Sequence, residues 1–327
     1  MTTQRGQTVG DVSEGELLSL ILRALGGTSR ALVGPGDDAA VLAAPGERVV
    51  VTTDTLVHGP DFRLAWSSGF DLGFKAAAVN LADVAAMGAV PTALLVALAL
   101  PDSTEVAFVE DVARGMREAC AQLAPECAVE GGDLTASGTL TIAVTAIGVL
   151  RGRAPVLRTG ARPGDVVAVA GELGAAARGL AVLFDRFRDA DGVPVPVEEA
   201  RLSEAERSDV AAQLRPAPPV ALGPEAADAG ATALMDVSDG LLLDATRMAD
   251  ASGVTIALSG IEDAYALRGG EDHALLAAFP PDRAVPPGFR AIGVVEPRGV
   301  AAVTVDGAAP SGPGGWDPQR DWDLGAG

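Results

Sequence analysis

The chain has 327 residues, 48% of them hydrophobic and only 4% aromatic, so a core large enough for two domains is available and it is built mainly from Ala, Val and Leu. Its 44 acidic and 24 basic residues give a formal net charge of −20, a field that repels phosphate backbones and anionic membrane surfaces and so excludes nucleic acid and membrane as expected partners. A nucleotide remains compatible, provided divalent cations sit between protein carboxylates and phosphates.

Residues 1–11 are polar and lack the apolar core of a signal peptide, which makes the cytoplasm the expected compartment. Ser13 and Glu16 form a capping-box pattern ahead of Leu17, Leu18, Ile21, Leu22 and Leu25, which share one helical face, and Gly26-Gly27 stops that helix. The β-branched run 49–53 reads as a strand ending on Asp54. Residues 70–87 read as a buried helix, 94–100 as a core strand closed by Pro101, 105–123 as a helix and 140–150 as a strand. The longest apolar stretch, 89–100, is too short to span a bilayer. Cys120 and Cys127 read as small buried hydrophobes, since no zinc-type spacing is present.

Composition shifts to Arg, Gly and Pro over 151–164, the best internal boundary, which divides the chain into 1–150 and 151–327. A second series follows, with strands at 166–170, 233–237, 254–258, 274–279, 289–294 and 301–305, and helices at 174–184, near 224–229 and at 241–251. Residues 185–199 form a polar excursion and 215–219 a proline-rich bend. From Pro310 onward the chain is rich in Gly and Pro and carries Trp316 and Trp322, a pattern that fits a frayed end or a lid, with the frayed end slightly favoured. Strands and helices alternate in both halves, so the fold class is α/β (α+β) rather than all-β.

Six places put carboxylates beside glycine or at a strand end: Gly36-Asp37-Asp38, Thr52-Thr53-Asp54-Thr55, Asn80-Leu81-Ala82-Asp83, Gly131-Gly132-Asp133, Asp236-Val237-Ser238-Asp239-Gly240 and Gly269-Gly270-Glu271-Asp272. Singly, each is an ordinary turn or cap. Together they supply hard oxygen ligands with hydroxyls nearby, which suits Mg²⁺, and with only two histidines in the chain a soft-metal site is not expected. Gly131-Gly132 and Gly269-Gly270 let backbone approach a phosphate. A Walker-type phosphate loop, the protein-kinase motif set, a convincing dinucleotide fingerprint and a G-x-S-x-G elbow are all missing. Lys75 is the only lysine, so any phosphate contact by a protein cation falls to Arg, to Lys75 or to backbone N–H groups, and metal ions on aspartates supply the rest of the neutralisation.

The segments GPGDDAAVL (34–42), VTTDTLV (51–57), KAAAVNLADVAAMGAVPTALLVALALP (75–101), EGGD (130–133), RTGARPGDVVAVAG-LG (158–174), MDVSDGLLLD (235–244) and GGEDHALL (269–276) resemble, in this order, the thiamine-monophosphate kinase family. That family belongs to the superfamily typified by aminoimidazole ribonucleotide synthetase. The resemblance implies a two-domain fold. Residues 1–150 would bind metal and ATP and form a homodimer through their sheet, and 151–327 would complete the ATP and substrate site. It also implies direct in-line transfer of the ATP γ-phosphoryl group onto thiamine monophosphate, with no side-chain nucleophile. By position, Asp38, Thr52, Thr53, Asp54, Asp83, Asp133, Asp236 and Asp239 correspond to Mg²⁺ ligands, and Gly132, Asp133, Arg158 and Ser238 to ATP contacts. Asp61, Glu271 and Trp316 correspond to substrate contacts. Asp61 departs from the family's histidine at its position, and His273 from the usual tyrosine. Two other readings stay open at this point: a superfamily enzyme with another substrate, and a non-catalytic protein that binds a nucleotide or thiamine phosphate.

Overall fold

The computed structural model describes residues 8, 14–28, 46, 48–312 and 314–315. Ser13, Asp37, Asp38, Trp316 and Trp322, all named above, lie outside the described residues.

Helix α1 (Glu14–Leu25) buries Leu17, Leu20 and Leu25. Strand β1 (Val49–Val57) runs on through Asp54, and the alternating pattern continues through Thr55 and Leu56. Thr55, Leu56 and Val57 pair with Ala143, Ile142 and Thr141, so Asp54 sits mid-strand rather than at a strand end. Helix α2 (Gly69–Ala86) opens on a reciprocal capping box between Ser68 and Asp71 and is buried along nearly its whole length. Strand β2 (Val90–Leu100) and helix α3 (Val106–Leu123) follow. The sequence reading sets Gly131-Gly132-Asp133 in a turn, but the structure carries it within strand β3 (Ala128–Ala136), parallel to β2. A Cβ on Gly132 would lie 1.9 Å from the Val96 carbonyl oxygen, so strand packing itself requires glycine there.

Strand β4 (Thr141–Val149) completes a four-stranded sheet of order β1-β4-β2-β3. One face of this sheet packs on α2 through Ile142, Val144 and Ala146 of β4. The other is open on β1, where Val49 and Val51 are 46% and 61% exposed.

The second series comprises β5 (Val166–Ala170), α4 (Ala175–Arg186), α5 (Glu204–Leu214), α6 (Leu222–Asp228), β6 (Ala233–Val237) and α7 (Leu241–Ser252). It continues through β7 (Val254–Leu258), α8 (Ala264–Arg268), β8 (Ala274–Phe279), β9 (Phe289–Pro297) and β10 (Val303–Val305). These strands form a six-stranded sheet of order β10-β7-β9-β5-β8-β6, antiparallel except between β10 and β7. Of these elements, β3, α5 and the short α8 are not foreseen from the sequence. The two sheets meet across α2, which touches β1, β2 and β4 of the first and β6 and β8 of the second. Among the described residues, no helix is long and apolar enough to cross a membrane.

Trp66, in the segment between β1 and α2, ties the halves together. Its Nε1–H donates to the Phe187 carbonyl at 3.0 Å, and its ring meets Phe184 edge-on at 4.9 Å. Trp66→Phe keeps the aromatic contact and removes the indole donor, leaving that carbonyl its other bond, from the Val195 N–H at 2.9 Å. It is expected to cost about 1 kcal/mol, the net worth of one hydrogen bond, read as a lower midpoint in urea unfolding; an unchanged midpoint would show that the bond adds nothing to stability.

Candidate functional site

The side chains of Thr52 and Asp54 share the face of β1 that looks toward α2, since residues two apart in a strand point the same way. From α2, Asn80 and Asp83 lie one turn apart and meet them. The Thr52 hydroxyl donates to Asp83 Oδ2 at 2.9 Å, and the Asp54 N–H donates to Asn80 Oδ1 at 3.0 Å. That second bond satisfies a backbone donor on an edge strand, and Asn80 is itself fixed by donating to the Ala76 carbonyl at 2.9 Å.

The second sheet contributes Asp236 from β6. His273 Nδ1 lies 3.2 Å from Asp236 Oδ2, and the imidazole is buried. Burial works against a charge on His273, but the bond and the surrounding carboxylates outweigh it and raise its pKa. Asp54 is raised above the usual carboxylate range by desolvation, opposed by His273 and reinforced by Asp236, Glu271 and Asp239. Asp83 is pushed up to about 7 by desolvation and by the charges of Asp236 and Asp54, against the bond from Thr52. Carboxylates from both sheets therefore repel one another around α2, an arrangement that a bound cation relieves.

Asp239 stands differently. Arg247 Nη1 donates to Asp239 Oδ2 and to Asp244 Oδ1, each at 2.6 Å, while the Asp239 N–H donates to Asp244 Oδ2 at 3.0 Å. Asp244 is fully buried and is raised to about 6, first by desolvation and then by Asp236. Gly270 passes so close to the Ser238–Asp239 backbone that a Cβ would lie 2.2 Å from the Ser238 carbonyl, and the Glu271 N–H donates to that same oxygen at 2.8 Å. Asp272 accepts from the N–H groups of Gly174 and Ala176 at 2.6 and 2.8 Å, which makes it the cap of α4.

Beside these groups lies a cavity of about 390 Å³. Asp61, Arg63, Lys75, Glu271 and Arg268 supply its polar wall, and Phe62, Trp66, Leu180, Leu183 and Phe184 its apolar one. Such a mixture suits a ligand with an apolar ring and charged ends. Asp61 closes the turn after β1 by accepting from the Val57 N–H at 2.7 Å. The part of the tail that the structure describes is tied down as far as Gly315: Arg268 Nη2 donates to the Ser311 carbonyl at 2.7 Å, and Gly315, which lines the cavity, lies against the Asp239 backbone.

Several expected site residues are not brought together in one chain. Thr53 points to the opposite face of β1 from Asp54, where its hydroxyl donates to the Val144 carbonyl at 2.9 Å. Gly132 and Asp133 lie on β3, at the far edge of the sheet from β1, three strand spacings or roughly 14 Å away. Arg158 is exposed, with its carbonyl taken by Ser252 Oγ at 3.0 Å, near the start of β6, whereas Ser238 follows its end. Among the described residues, no three His, Cys, Asp or Glu side chains converge closely enough to hold a metal ion by themselves. Lys75, expected from sequence as a possible phosphate contact, is instead paired with Glu271 and the Gln213 carbonyl, and Asn80, Gln213, Arg247 and Asp244 are site residues that sequence alone does not single out. The signal for Lys75 is that it is the only lysine.

Residues 36–150 match the family model described as "AIR synthase related protein, N-terminal domain". The chain is 40% identical to the thiamine-monophosphate kinase of Mycobacterium tuberculosis, covering 97% of this chain and 96% of that one. It is 41% identical to that of Corynebacterium glutamicum, covering 95% of each. Its fold superposes on a solved structure described as "AaThiL complexed with AMPPCP and TMP" with a TM-score of 0.72 and 31% identity, covering 97% of this chain and 99% of that one.

Proposed function

The chain belongs to the thiamine-monophosphate kinase family, and from that premise we propose that it transfers the γ-phosphoryl group of ATP to a phosphate oxygen of thiamine monophosphate, giving thiamine diphosphate and ADP. The bond between the γ-phosphorus and its bridging oxygen breaks, and a new P–O–P link forms on the acceptor. The attacking oxygen is already ionised near neutral pH, so the protein needs no general base. Its work is alignment and charge neutralisation. The observation that carries this reading is the gathering of Asp54, Asp83 and Asp236 from both sheets around α2, beside a cavity walled by Asp61 and Glu271.

Magnesium belongs to this reading. The donors are hard oxygens, and their mutual repulsion in the protein suits a divalent cation. Since no three carboxylates among the described residues converge by themselves, Asp54, Asp83 and Asp236, with Thr52, would hold magnesium only together with the phosphate oxygens of ATP, and Asp38 and Asp133 remain proposed ligands alongside Asp239, which Arg247 must first release. When bound, magnesium supplies neutralisation of phosphate charge. Arg158, Gly132 and Ser238 are proposed ATP contacts, and Asp61, Glu271 and Trp316 substrate contacts. Asp61 and Glu271, both on the cavity wall, are suited to the thiazolium cation.

A homodimer through residues 1–150, with 151–327 completing each site, accounts for the open β1 face with Val49 and Val51. A two-fold partner is also the simplest way to bring an Asp133 to an Asp54, given their places at opposite sheet edges. Use of ATP makes the cytoplasm the setting.

The test is a panel of acceptors. Release of ADP is expected with thiamine monophosphate, at least about a hundredfold faster than with thiamine or other phosphate monoesters, and chelation of divalent cations with EDTA is expected to abolish it. Equal rates across the panel would reject the substrate, and full activity in EDTA would reject the metal.

A further inference from the structure

Lys75 occupies a position in α2 where an apolar residue is expected. It is 4% exposed, between Phe74 and Ala76. An ammonium in that setting costs free energy unless it is paired and hydrogen-bonded. Here it is ion-paired with Glu271 Oε2 and donates to the Gln213 main-chain carbonyl at 3.3 Å. With the Gln213 amide turned so that its NH₂ donates to the Ala176 carbonyl at 3.0 Å, the amide oxygen accepts from Lys75 at 3.2 Å. Three acceptors thus match the three donors of the ammonium, and none is left to reach a ligand.

These partners come from α5 and from the loop before β8, so one side chain of α2 joins three elements on the wall of the cavity. Glu271 itself is held in an uncommon backbone conformation, φ 74°, which for a non-glycine residue is strained and persists only where the surroundings impose it. Its N–H is anchored on Ser238. Loss of solvent around Glu271 works against ionisation, but Lys75 and His273 outweigh that and hold its carboxyl below the usual range.

We propose that Lys75 is a positioning residue for substrate recognition, fixing the Glu271 carboxylate on the cavity wall in the orientation that receives the cationic ring of the substrate. The proposal rests on the assignment of Glu271 as a substrate contact made above. A lysine that served folding alone would affect stability without separating one substrate from the other.

Two measurements test it. Because Lys75 is the only lysine, protein labelled with ¹⁵Nζ-lysine gives a single side-chain ammonium signal. That signal is expected to move on addition of thiamine monophosphate and to stay nearly in place with ATP alone; no movement with thiamine monophosphate overturns the proposal. In kinetics, Glu271→Gln and Lys75→Met are each expected to raise KM for thiamine monophosphate about tenfold, with kcat and the Kd for ATP within about twofold. The double variant is expected to be no worse than either single one. An unchanged KM in Lys75→Met, or losses that multiply in the double variant, would show that Lys75 does not act through Glu271. Should Glu271→Gln itself leave KM unchanged, the fault lies in the substrate assignment of Glu271. If Lys75→Met does not fold, the ammonium signal of the unaltered protein decides.

Discussion

Asp54→Asn is expected to fold normally and to lose at least about a hundredfold in turnover, the scale of removing one main electrostatic contact to a developing charge. The backbone of Asp54 is held by β4 pairing and by the bond from its N–H to Asn80, neither of which uses the carboxylate. The amide has the same shape, so packing is undisturbed. The charge itself is unfavourable in the free protein, since desolvation and then Asp236, Glu271 and Asp239 hold its pKa up against the help of His273. Removing it therefore leaves Tm unchanged or raised in the absence of metal, and thermal melts beside turnover assays check both halves. A folded variant with near-normal turnover would take Asp54 out of the chemistry. A variant with a clearly lowered Tm would make it a structural residue.

Gly73→Ala is expected to damage the fold and the site together. A Cβ there would lie 1.9 Å from the Val112 carbonyl oxygen, and at Gly115, on the facing helix, 2.0 Å from that of Phe70. The obstacles are backbone atoms, so relief requires α2 and α3 to move apart. Overpacking of this kind costs about 3 kcal/mol, against about 1 kcal/mol gained in helix propensity. The net loss of about 2 kcal/mol corresponds to a Tm lower by roughly 4–8 °C. Because α2 carries Lys75, Asn80 and Asp83, the displacement also reaches the site, and kcat/KM should fall with Tm. Unchanged Tm and activity would contradict the close helix crossing.

Most of the fold is legible in the sequence because its strands are β-branched runs and its main helices are apolar along a face. β3 is not, because Gly131-Gly132-Asp133 is turn-forming by local chemistry, and only its contact with Val96 makes glycine a strand requirement. α5 escapes because Val210 and Gln213 are its only buried residues, although the Ser203–Glu206 capping box was there to read. The tail reads as a frayed end because the contact of Ser311 with Arg268 depends on a residue far back in the chain.

The carboxylates of the site stand out in sequence by their glycine and strand contexts, and Asp54, Asp83 and Asp236 do lie within electrostatic reach of one another. Their partners do not stand out. The pairings of Lys75 with Glu271, His273 with Asp236 and Arg247 with Asp239 join residues from separate elements, and no local pattern records them. The opposite faces of Thr52 and Thr53 follow directly from strand periodicity once β1 is known to continue through Asp54.

All of these parts serve one proposed reaction, the building of a diphosphate on thiamine at the expense of ATP. Phosphorus NMR of the purified protein with ATP, magnesium and thiamine monophosphate tests it most directly. The signals of thiamine diphosphate and ADP are expected to grow in step while those of ATP and thiamine monophosphate decline. ADP appearing with inorganic phosphate, or both substrates persisting unchanged in the presence of protein that binds them, would contradict it.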